Sequence, residues 1–322
     1  MSPNVRSRLP IALGASLAAM IALALSGSAL GSAAQSCGTV TLNEQAWAGS
    51  TANTYVAKNV LEKRLGCSVK ITKITEIPVF QAMADGKVDA VLEDWNHVTQ
   101  YKQFVTKNKS VVLVGANGLV GHIGWFIPKY LLKQYPQFAT WRGLKGKESI
   151  FKTPESGSQG MFLGGDPSYV QKDKELIELL GLDFKHVTVG AEPVEVARFT
   201  QMIKQRKPVI FYWWTPQYLN SFLNLAEVKL PARFKGCQDD ASAGGSTKKY
   251  KCAYSADPLR KLFSKKFATS GSPAVKMLRK FQWSNADQNL VAKWIAGDKM
   301  KPDDAAAKWV AANKAKVASW LK

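Results

Sequence analysis

The chain has 322 residues, of which 46% are hydrophobic, and its 44 lysines and arginines outnumber 24 acidic residues to give a formal net charge of +20. This apolar fraction can bury a core and four cysteines are too few to replace one, so collagenous, disordered and small disulfide-scaffold proteins are excluded. The length favours two compact domains once any targeting segment is removed.

Residues 1–34 have the pattern of a signal peptide. Two arginines precede an uncharged apolar run at 11–25, and the small residues at 32–34 provide a cleavage site. An uncleaved membrane anchor over 11–34 is the alternative, because that stretch is nearly long enough to span a bilayer. Glycine and serine interrupt the run after residue 25, so we predict cleavage and export to the periplasm as a soluble protein.

The four cysteines form an even set, which in an oxidising compartment indicates disulfides. Cys237 and Cys252 flank a loop rich in glycine, serine and lysine, and a bridge between them would order it. Cys37 and Cys67 each precede a candidate strand and could bridge two neighbouring strands. A zinc site and lipid modification of Cys37 are the alternatives, but no CxxC pair or histidine cluster accompanies the cysteines.

Strand-like and helix-like segments then alternate in two series. The first is strand, helix, strand, helix, strand at Val40–Leu42, Thr51–Leu65, Ser68–Ile74, Val79–Ala84 and Val88–Leu92. The second repeats this order at Ser149–Lys152, Gly160–Leu180, His186–Val189, Pro193–Gln205 and Val209–Trp213, and a largely helical tail with caps at Asp257 and Ser272 follows. The alternation predicts an α/β clamshell of two similar lobes, each a mostly parallel sheet flanked by helices.

Three tryptophans lie just beyond the carboxyl ends of predicted strands: Trp47, Trp95 and Trp214. In open parallel sheets that edge forms the ligand crevice, so their rings are predicted to meet around one small molecule. Indole is the best aromatic face for binding a cation, although each tryptophan could instead be a core residue. The remaining tryptophans are of two kinds: Trp283, Trp294, Trp309 and Trp320 are predicted to pack inside the helical tail, and Trp125 and Trp141 stay unassigned.

A turn of small residues, Glu155–Met161, separates a predicted strand from a predicted helix. Backbone N–H groups that open a helix after such a turn could bind an anionic group such as a carboxylate, although most turns of this kind serve only as caps. The glycines fit neither the P-loop nor the dinucleotide-binding pattern, which excludes the common nucleotide sites.

Three segments together resemble a known protein family: NEQAW at 43–47, PVFQAMADGKVDAVLEDW at 78–95 and PVIFYWWTPQYL at 208–219. They are similar to segments of the glycine betaine and proline betaine substrate-binding proteins of ABC importers, and the resemblance covers nearly the whole mature chain. It implies a periplasmic-binding-protein clamshell of type II-like architecture. We predict a discontinuous first lobe at 35–115 and 220–322 and a second lobe at 116–219.

The resemblance also implies the site. Trp47, Trp95 and Trp214 would enclose a quaternary ammonium group between the lobes, and the backbone of Gln159 and Gly160 would hold a ligand carboxylate.

The chain departs from the family pattern around the second tryptophan. The betaine-binding members place a carboxylate-binding histidine five residues after it, and this position is Gln100; His97 lies nearby and could substitute or be a plain loop residue. Acidic residues flank the predicted cage at Glu44, Glu93 and Asp94. They would favour a cation without a carboxylate, such as choline, unless they are solvated or cap helices.

The sequence therefore predicts a non-enzymatic receptor for glycine betaine, proline betaine or choline. It would be a monomer that needs no cofactor or metal and delivers its ligand to a membrane permease paired with an ATPase. A binding protein for a polyamine or sugar is one alternative. An α/β hydrolase is another, but the GxSxG and HExxH motifs are missing. The scattered basic residues show no nucleic-acid module and indicate a solvated surface.

Overall fold

A mixed sheet runs through the protein, and its strand order sets where ligand-binding loops can lie. The computed structural model describes residues 37–242 and 247–322, so the signal-peptide prediction at 1–34 lies outside the described residues. In these two ranges the strands are β1 Thr39–Asn43, β2 Ser68–Thr72, β3 Ala90–Asp94, β4 Val111–Pro128, β5 Gly160–Gly164, β6 Phe184–Thr188, β7 Ile210–Thr215, β8 Leu225–Val228 and β9 Ala256–Ser264.

The strand order is β2-β1-β3-β9-β4-β7-β5-β6, with β8 paired to β4. The pairs at both ends of the sheet are parallel: β1 with β2 and β3, and β5 with β6 and β7. The centre is antiparallel, because β9 pairs with both β3 and β4 and β4 pairs with β7. The two parallel parts are therefore joined through the long strands β4 and β9.

Helices cover the sheet. They are α1 Ala48–Leu65, α2 Pro78–Ala84, α3 Val98–Gln100, α4 Lys129–Gln134, α5 Trp141–Leu144, α6 Asp173–Leu180, α7 Glu192–Lys204, α8 Lys265–Ala268, α9 Pro273–Lys280, α10 Asn285–Ala292, α11 Pro302–Ala312 and α12 Lys314–Leu321. The longest, α1, begins after Trp47 and ends at Gly66, whose φ of 67° is the left-handed conformation that glycine adopts without strain. None of the helices in the described part of the chain is long and apolar enough to cross a membrane.

The first predicted series is confirmed by β1, α1, β2, α2 and β3, but the second contains two errors. Residues predicted as the strand Ser149–Lys152 instead form a 3-10 turn at Glu148–Phe151. The predicted helix over Gly160–Leu180 starts as strand β5, and α6 begins only at Asp173. The physical reason is that Gly160–Gly164 is buried on both faces between β6 and β7, and a short apolar run of this kind suits a central parallel strand.

The predicted helix cap at Asp257 is wrong as well, because Pro258 lies within strand β9 opposite Val120. The β4–β9 register shifts just before Val120, and an irregular stretch of ladder tolerates a residue that has no N–H. The cap at Ser272 is confirmed, since its side chain accepts a hydrogen bond from the backbone N–H of Ala274.

Two large buried clusters lie on either side of the central strands. The first contains β1, α1 and the C-terminal helices, and the predicted packing role of Trp283, Trp309 and Trp320 is confirmed there, with Trp294 packed against its edge. The second is built around β5, β7 and α7 and includes the fully buried Trp125, while Trp141 packs at its margin. A smaller third cluster lies between α2 and the central strands.

Both predicted disulfides are present. Cys37 bonds to Cys67, which joins the starts of β1 and β2. Cys237 bonds to Cys252 across a sequence separation of 15 residues. The interpretation of these cysteines as zinc ligands is therefore wrong.

Candidate functional site

One cavity brings the three predicted tryptophans together. Its volume is only about 10 Å³, and it is lined by Trp47, Glu76, Trp95, Tyr169, Val170, Tyr212 and Trp214. Trp47 and Trp95 follow β1 and β3, whereas Trp214 lies near the end of β7. The carboxyl ends of parallel strands from both large clusters thus meet at this point, as the topology of an open α/β sheet requires.

We call Trp47, Trp95, Tyr169, Tyr212 and Trp214 the aromatic cage, and two of the contacts between their rings are edge to face. The centroid of Tyr169 lies 5.7 Å from that of Trp47 at an interplanar angle of 89°, and 5.9 Å from that of Trp214 at 81°. The centroids of Tyr212 and Trp214 are also 5.9 Å apart. Edge-to-face contacts favour fixed relative orientations of aromatic rings, and the small volume between these rings means that they must move apart to admit a ligand.

Glu93 fixes two of these rings from behind. Its Oε1 accepts hydrogen bonds from the indole Nε1 atoms of Trp47 and Trp95, each at 2.9 Å. Its other oxygen accepts from the side-chain amides of Asn53 and Gln288. Burial raises the pKa of Glu93 to about 7, although all four of these donors favour the ionised form. Glu93 is therefore a positioning residue for the cage.

Glu76 is the acidic residue that lines the cavity itself. Only 3% of its side chain is exposed, and its Oε1 has no hydrogen-bond partner among the described residues. Burial raises the pKa of Glu76 to about 8. An unpaired carboxyl oxygen beside five aromatic rings is suited to a ligand that brings a positive charge or a hydrogen-bond donor.

His97 stands behind Glu76 and does not line the cavity. Its Nδ1 lies 2.9 Å from Oδ1 of Asp94 and its Nε2 lies 3.1 Å from the carbonyl oxygen of Ser168. Both partners are acceptors, so both ring nitrogens donate and the imidazole is protonated. Burial alone would lower the pKa of His97, but the Glu76 and Asp94 carboxyls raise it to about 10.

Glu44 lies in a neighbouring, wider cavity of about 530 Å³, which shares the Trp47 wall. Its Oε1 accepts a hydrogen bond of 2.7 Å from the Thr51 hydroxyl, and its Oε2 lies 3.4 Å from Nζ of Lys73. The structure therefore places Glu44 next to the aromatic cage and not inside it. Gln100, in α3, lines neither of these two cavities.

Gln159 and Gly160 are not brought to the cavity. They lie at the start of β5. The backbone N–H of Gly160 donates to the carbonyl oxygen of Asp183 at 3.0 Å, and the side-chain amide of Gln159 donates to the carboxylate of Asp183, also at 3.0 Å. This placement disagrees with the prediction that their backbone holds a ligand carboxylate. The turn opens strand β5 and not a helix, so the N–H of Gly160 pairs within the sheet.

The sequence reasoning missed Glu76, Tyr169, Val170 and Tyr212 as lining residues. Tyr212 stands two residues before Trp214 on β7 and so faces the same side of the sheet, which the strand period could have shown. Glu76 follows β2 in the same way as Trp47 follows β1. Tyr169 and Val170 follow β5, and reading that strand as a helix concealed them.

Polar contacts link residues around the cage across the two large clusters. The carboxylate of Glu192, in α7, accepts from the backbone N–H of Ala48 at 3.0 Å and from the amide of Gln217 at 2.9 Å. The hydroxyl of Tyr169 donates to the carbonyl oxygen of Ala46 at 3.3 Å. Burial raises the pKa of Glu192 to about 7. These bonds hold the N-terminus of α1, and with it Trp47, against the second cluster.

Comparison with known proteins places this geometry in context. Residues 38–312 match the model of the substrate binding domain of ABC-type glycine betaine transport systems. A trimethylamine N-oxide-binding protein of Pelagibacter ubique (strain HTCC1062) is 25% identical over 311 residues, which cover 92% of this chain and 95% of that protein.

Solved structures show the same fold at low sequence identity. Lactococcal OpuAC, in its closed-liganded conformation with glycine betaine, superposes with a TM-score of 0.66 at 20% identity, covering 88% of this chain and 99% of that one. An ABC-transporter choline-binding protein in complex with choline superposes with a TM-score of 0.70 at 18% identity, covering 89% and 92%. A glycine betaine/L-proline-binding protein from Borrelia burgdorferi also gives 0.70, at 21% identity, covering 88% and 97%. The predicted α/β periplasmic-binding-protein fold is thereby confirmed.

Proposed function

The chain belongs to the family of substrate-binding domains of ABC-type glycine betaine transport systems, and we propose that it captures a methylated ammonium compound in the aromatic cage. The family is defined by substrate binding, so the chain is a binding protein and not an enzyme. The observation that carries the proposal is the convergence of five aromatic rings and one buried carboxyl, Glu76, on a single small cavity.

The chemistry of the cage fits this ligand class. A quaternary ammonium group spreads its charge over methyl groups, which lose little hydration when aromatic faces replace water. Each such contact contributes about 0.5–1 kcal/mol when exposed and about 2 kcal/mol when desolvated. A micromolar dissociation constant needs about 8 kcal/mol, so the ring contacts, the carboxyl and closure of the protein around the ligand must contribute together. A sugar would require several hydrogen-bonding side chains. The described lining residues are mainly aromatic and include a single acidic residue, Glu76, so a sugar fits this cavity less well.

We place the cage between two lobes, at 35–115 with 220–322 and at 116–219. Support comes from the two large buried clusters, which draw mainly on these respective parts of the chain and adjoin at the cage. Release of the ligand would then require the Glu192–Ala48 and Tyr169–Ala46 bonds to break. We propose a carrier role on this basis: closed around its ligand, the protein acts as a monomer that delivers it to a membrane permease paired with an ATPase.

We further propose that this happens outside the cytoplasm, in the periplasm, after removal of residues 1–34. The two disulfides support an oxidising location, because such bonds are rare in the reducing cytosol.

Titration calorimetry with choline, glycine betaine and trimethylamine N-oxide tests the proposed function. At least one of them is expected to bind with a dissociation constant in the micromolar range or below, and to raise the melting temperature by mass action. Trp214→Ala removes one wall of the cage and is expected to weaken binding at least tenfold. Trp141→Ala, at the margin of the second cluster and away from the cavity, is the matched control and should bind as the parent does. Failure of all three compounds to bind the parent protein would overturn the proposal.

A further inference from the structure

The acidic groups around the aromatic cage differ in whether their oxygens already accept hydrogen bonds. Both oxygens of Glu93 accept two hydrogen bonds each. Those of Asp94 accept from His97, from the hydroxyl of Tyr101 and from the backbone N–H of Asn96. Glu76 differs, because its Oε1 has no partner among the described residues although the side chain is 97% buried and lines the cavity.

A buried carboxyl oxygen without a partner is costly in the empty protein. The cost is recovered only when something in the cavity pairs with it. The position of Glu76 in the wall of the aromatic cage makes the ligand the natural partner, and the pairing adds to the attraction that the rings exert on a cation.

The opposite charge is missing from the same wall. Among the described residues that line the cavity there is no lysine, arginine or histidine. His97 does not line the cavity; its Nε2 lies 3.9 Å from Oε2 of Glu76, and both of its ring nitrogens donate to Asp94 and Ser168. The family resemblance assigns a ligand carboxylate to Gln159 and Gly160, but in this structure both residues donate hydrogen bonds to Asp183.

From these contacts we infer that Glu76 makes the aromatic cage selective for methylated ammonium cations that carry no anionic group of their own. The inference rests on the proposed function and narrows its substrate class. Choline and tetramethylammonium belong to the accepted class, whereas glycine betaine and proline betaine do not. A betaine would bring a second carboxylate into a small cavity whose wall already holds one, and no cationic side chain lines this cavity to pair with it.

The test compares choline, tetramethylammonium and glycine betaine by titration calorimetry at one ionic strength and at pH 9, where Glu76, whose pKa burial raises to about 8, is ionised. The parent protein is expected to bind choline at least tenfold more tightly than glycine betaine. Glu76→Gln keeps the shape of the side chain and removes its charge, so choline binding should weaken at least tenfold while glycine betaine binding strengthens, because the repulsion between two carboxylates is gone. Glu178→Gln makes the same charge change on the exposed face of α6 and should keep the parent's preference.

The outcomes separate the two proposals. If the parent binds glycine betaine as tightly as choline, the selectivity inference is overturned and the proposed function stands. A Glu76→Gln protein that melts normally and keeps the full preference for choline also overturns the inference. If Glu76→Gln fails to fold, the comparison of ligands in the parent decides alone. If no methylated ammonium compound binds the parent, the proposed function itself fails and the inference falls with it.

Discussion

Nε2 of His97 lies 3.9 Å from Oε2 of Glu76, and both side chains are almost completely buried. The protonated imidazole favours the ionised form of Glu76, whereas burial and the nearby Asp94, Glu93 and Asp166 carboxylates raise the pKa of Glu76 to about 8. His97 therefore helps to determine the charge that the aromatic cage presents to a ligand, without touching the ligand itself.

The first prediction concerns the pH dependence of binding. Because a cation binds best when Glu76 is ionised, choline affinity is expected to rise as the pH increases through about 8. His97→Gln removes the neighbouring positive charge, so the midpoint should move upward by about one pH unit, equivalent to about 1.4 kcal/mol. Dissociation constants of choline measured from pH 6 to 9.5 in both proteins check this, and identical profiles would show that His97 has only a packing role.

The second prediction concerns the stability of the protein against pH. Glu76, Glu93 and Glu192 have folded-state pKa values raised to about 8, 7 and 7, so the native state binds protons more tightly than the unfolded chain does. Their stabilising contribution is complete below about pH 4.5 and is lost as the pH rises towards these values. The raised pKa of His97, about 10, acts in the same direction above pH 6.5.

The free energy of unfolding is therefore expected to fall between pH 5 and pH 8 in the absence of ligand. Glu192→Gln removes one of the titrating groups and should reduce that fall by about 1–3 kcal/mol. Urea unfolding at the two pH values measures the difference. A stability that increases over this interval would show that these carboxyls are ionised in the native protein with ordinary pKa values.

Much of the site could be predicted from the sequence, because its position follows from topology. Trp47 and Trp95 follow parallel strands that the hydrophobic pattern shows clearly, and the rule that ligands lie at carboxyl ends of strands then brings their rings together. The same reasoning failed at Gly160–Gly164, where an apolar run is compatible with either a buried strand or a helix.

The roles of the acidic residues could not be predicted, because they depend on which hydrogen-bond donors surround each carboxyl in the folded chain. The carboxylate of Glu93 accepts hydrogen bonds from Trp47, Trp95, Asn53 and Gln288, the last of which is 195 residues away in sequence. Glu76 is left with an unpaired oxygen. No local pattern distinguishes these two glutamates.

The third prediction concerns the support of the cage by Glu93. In Glu93→Gln the new amide N–H₂ must face either the two indole donors or the amides of Asn53 and Gln288, so at least one donor loses its partner. Asn53 cannot adapt by turning, because its oxygen accepts from the indole of Trp283 at 2.7 Å. We expect unfolding free energy to fall by about 1–3 kcal/mol and choline to bind at least tenfold more weakly.

Chemical unfolding and calorimetry of the same preparation measure both effects of Glu93→Gln. Glu62→Gln, in the surface ion pair with Lys58 on α1, is the control and should change stability by less than about 0.5 kcal/mol. Unchanged binding in Glu93→Gln would mean that the two indoles keep their positions without this carboxylate.

The fourth prediction concerns the disulfides. Cys237–Cys252 closes a loop with a sequence separation of 15 residues, and its replacement by two serines is expected to cost about 3 kcal/mol. Cys37–Cys67 has twice that separation, 30 residues, so its loss should cost about 0.6 kcal/mol more. Neither bridge lines the aromatic cage, so choline affinity should change less than threefold in the Cys237→Ser/Cys252→Ser protein. Unfolding curves give the stabilities, and a loss of binding without unfolding would contradict the separation of bridge and cage.

The most direct test of the account is a crystal structure of the protein grown with choline. It should show the trimethylammonium group inside the cavity, within about 6 Å of the ring centroids of Trp47, Trp95 and Trp214 and next to Oε1 of Glu76. Choline bound instead in the wider cavity beside Glu44, or outside both cavities, would contradict the assignment of the aromatic cage as the binding site.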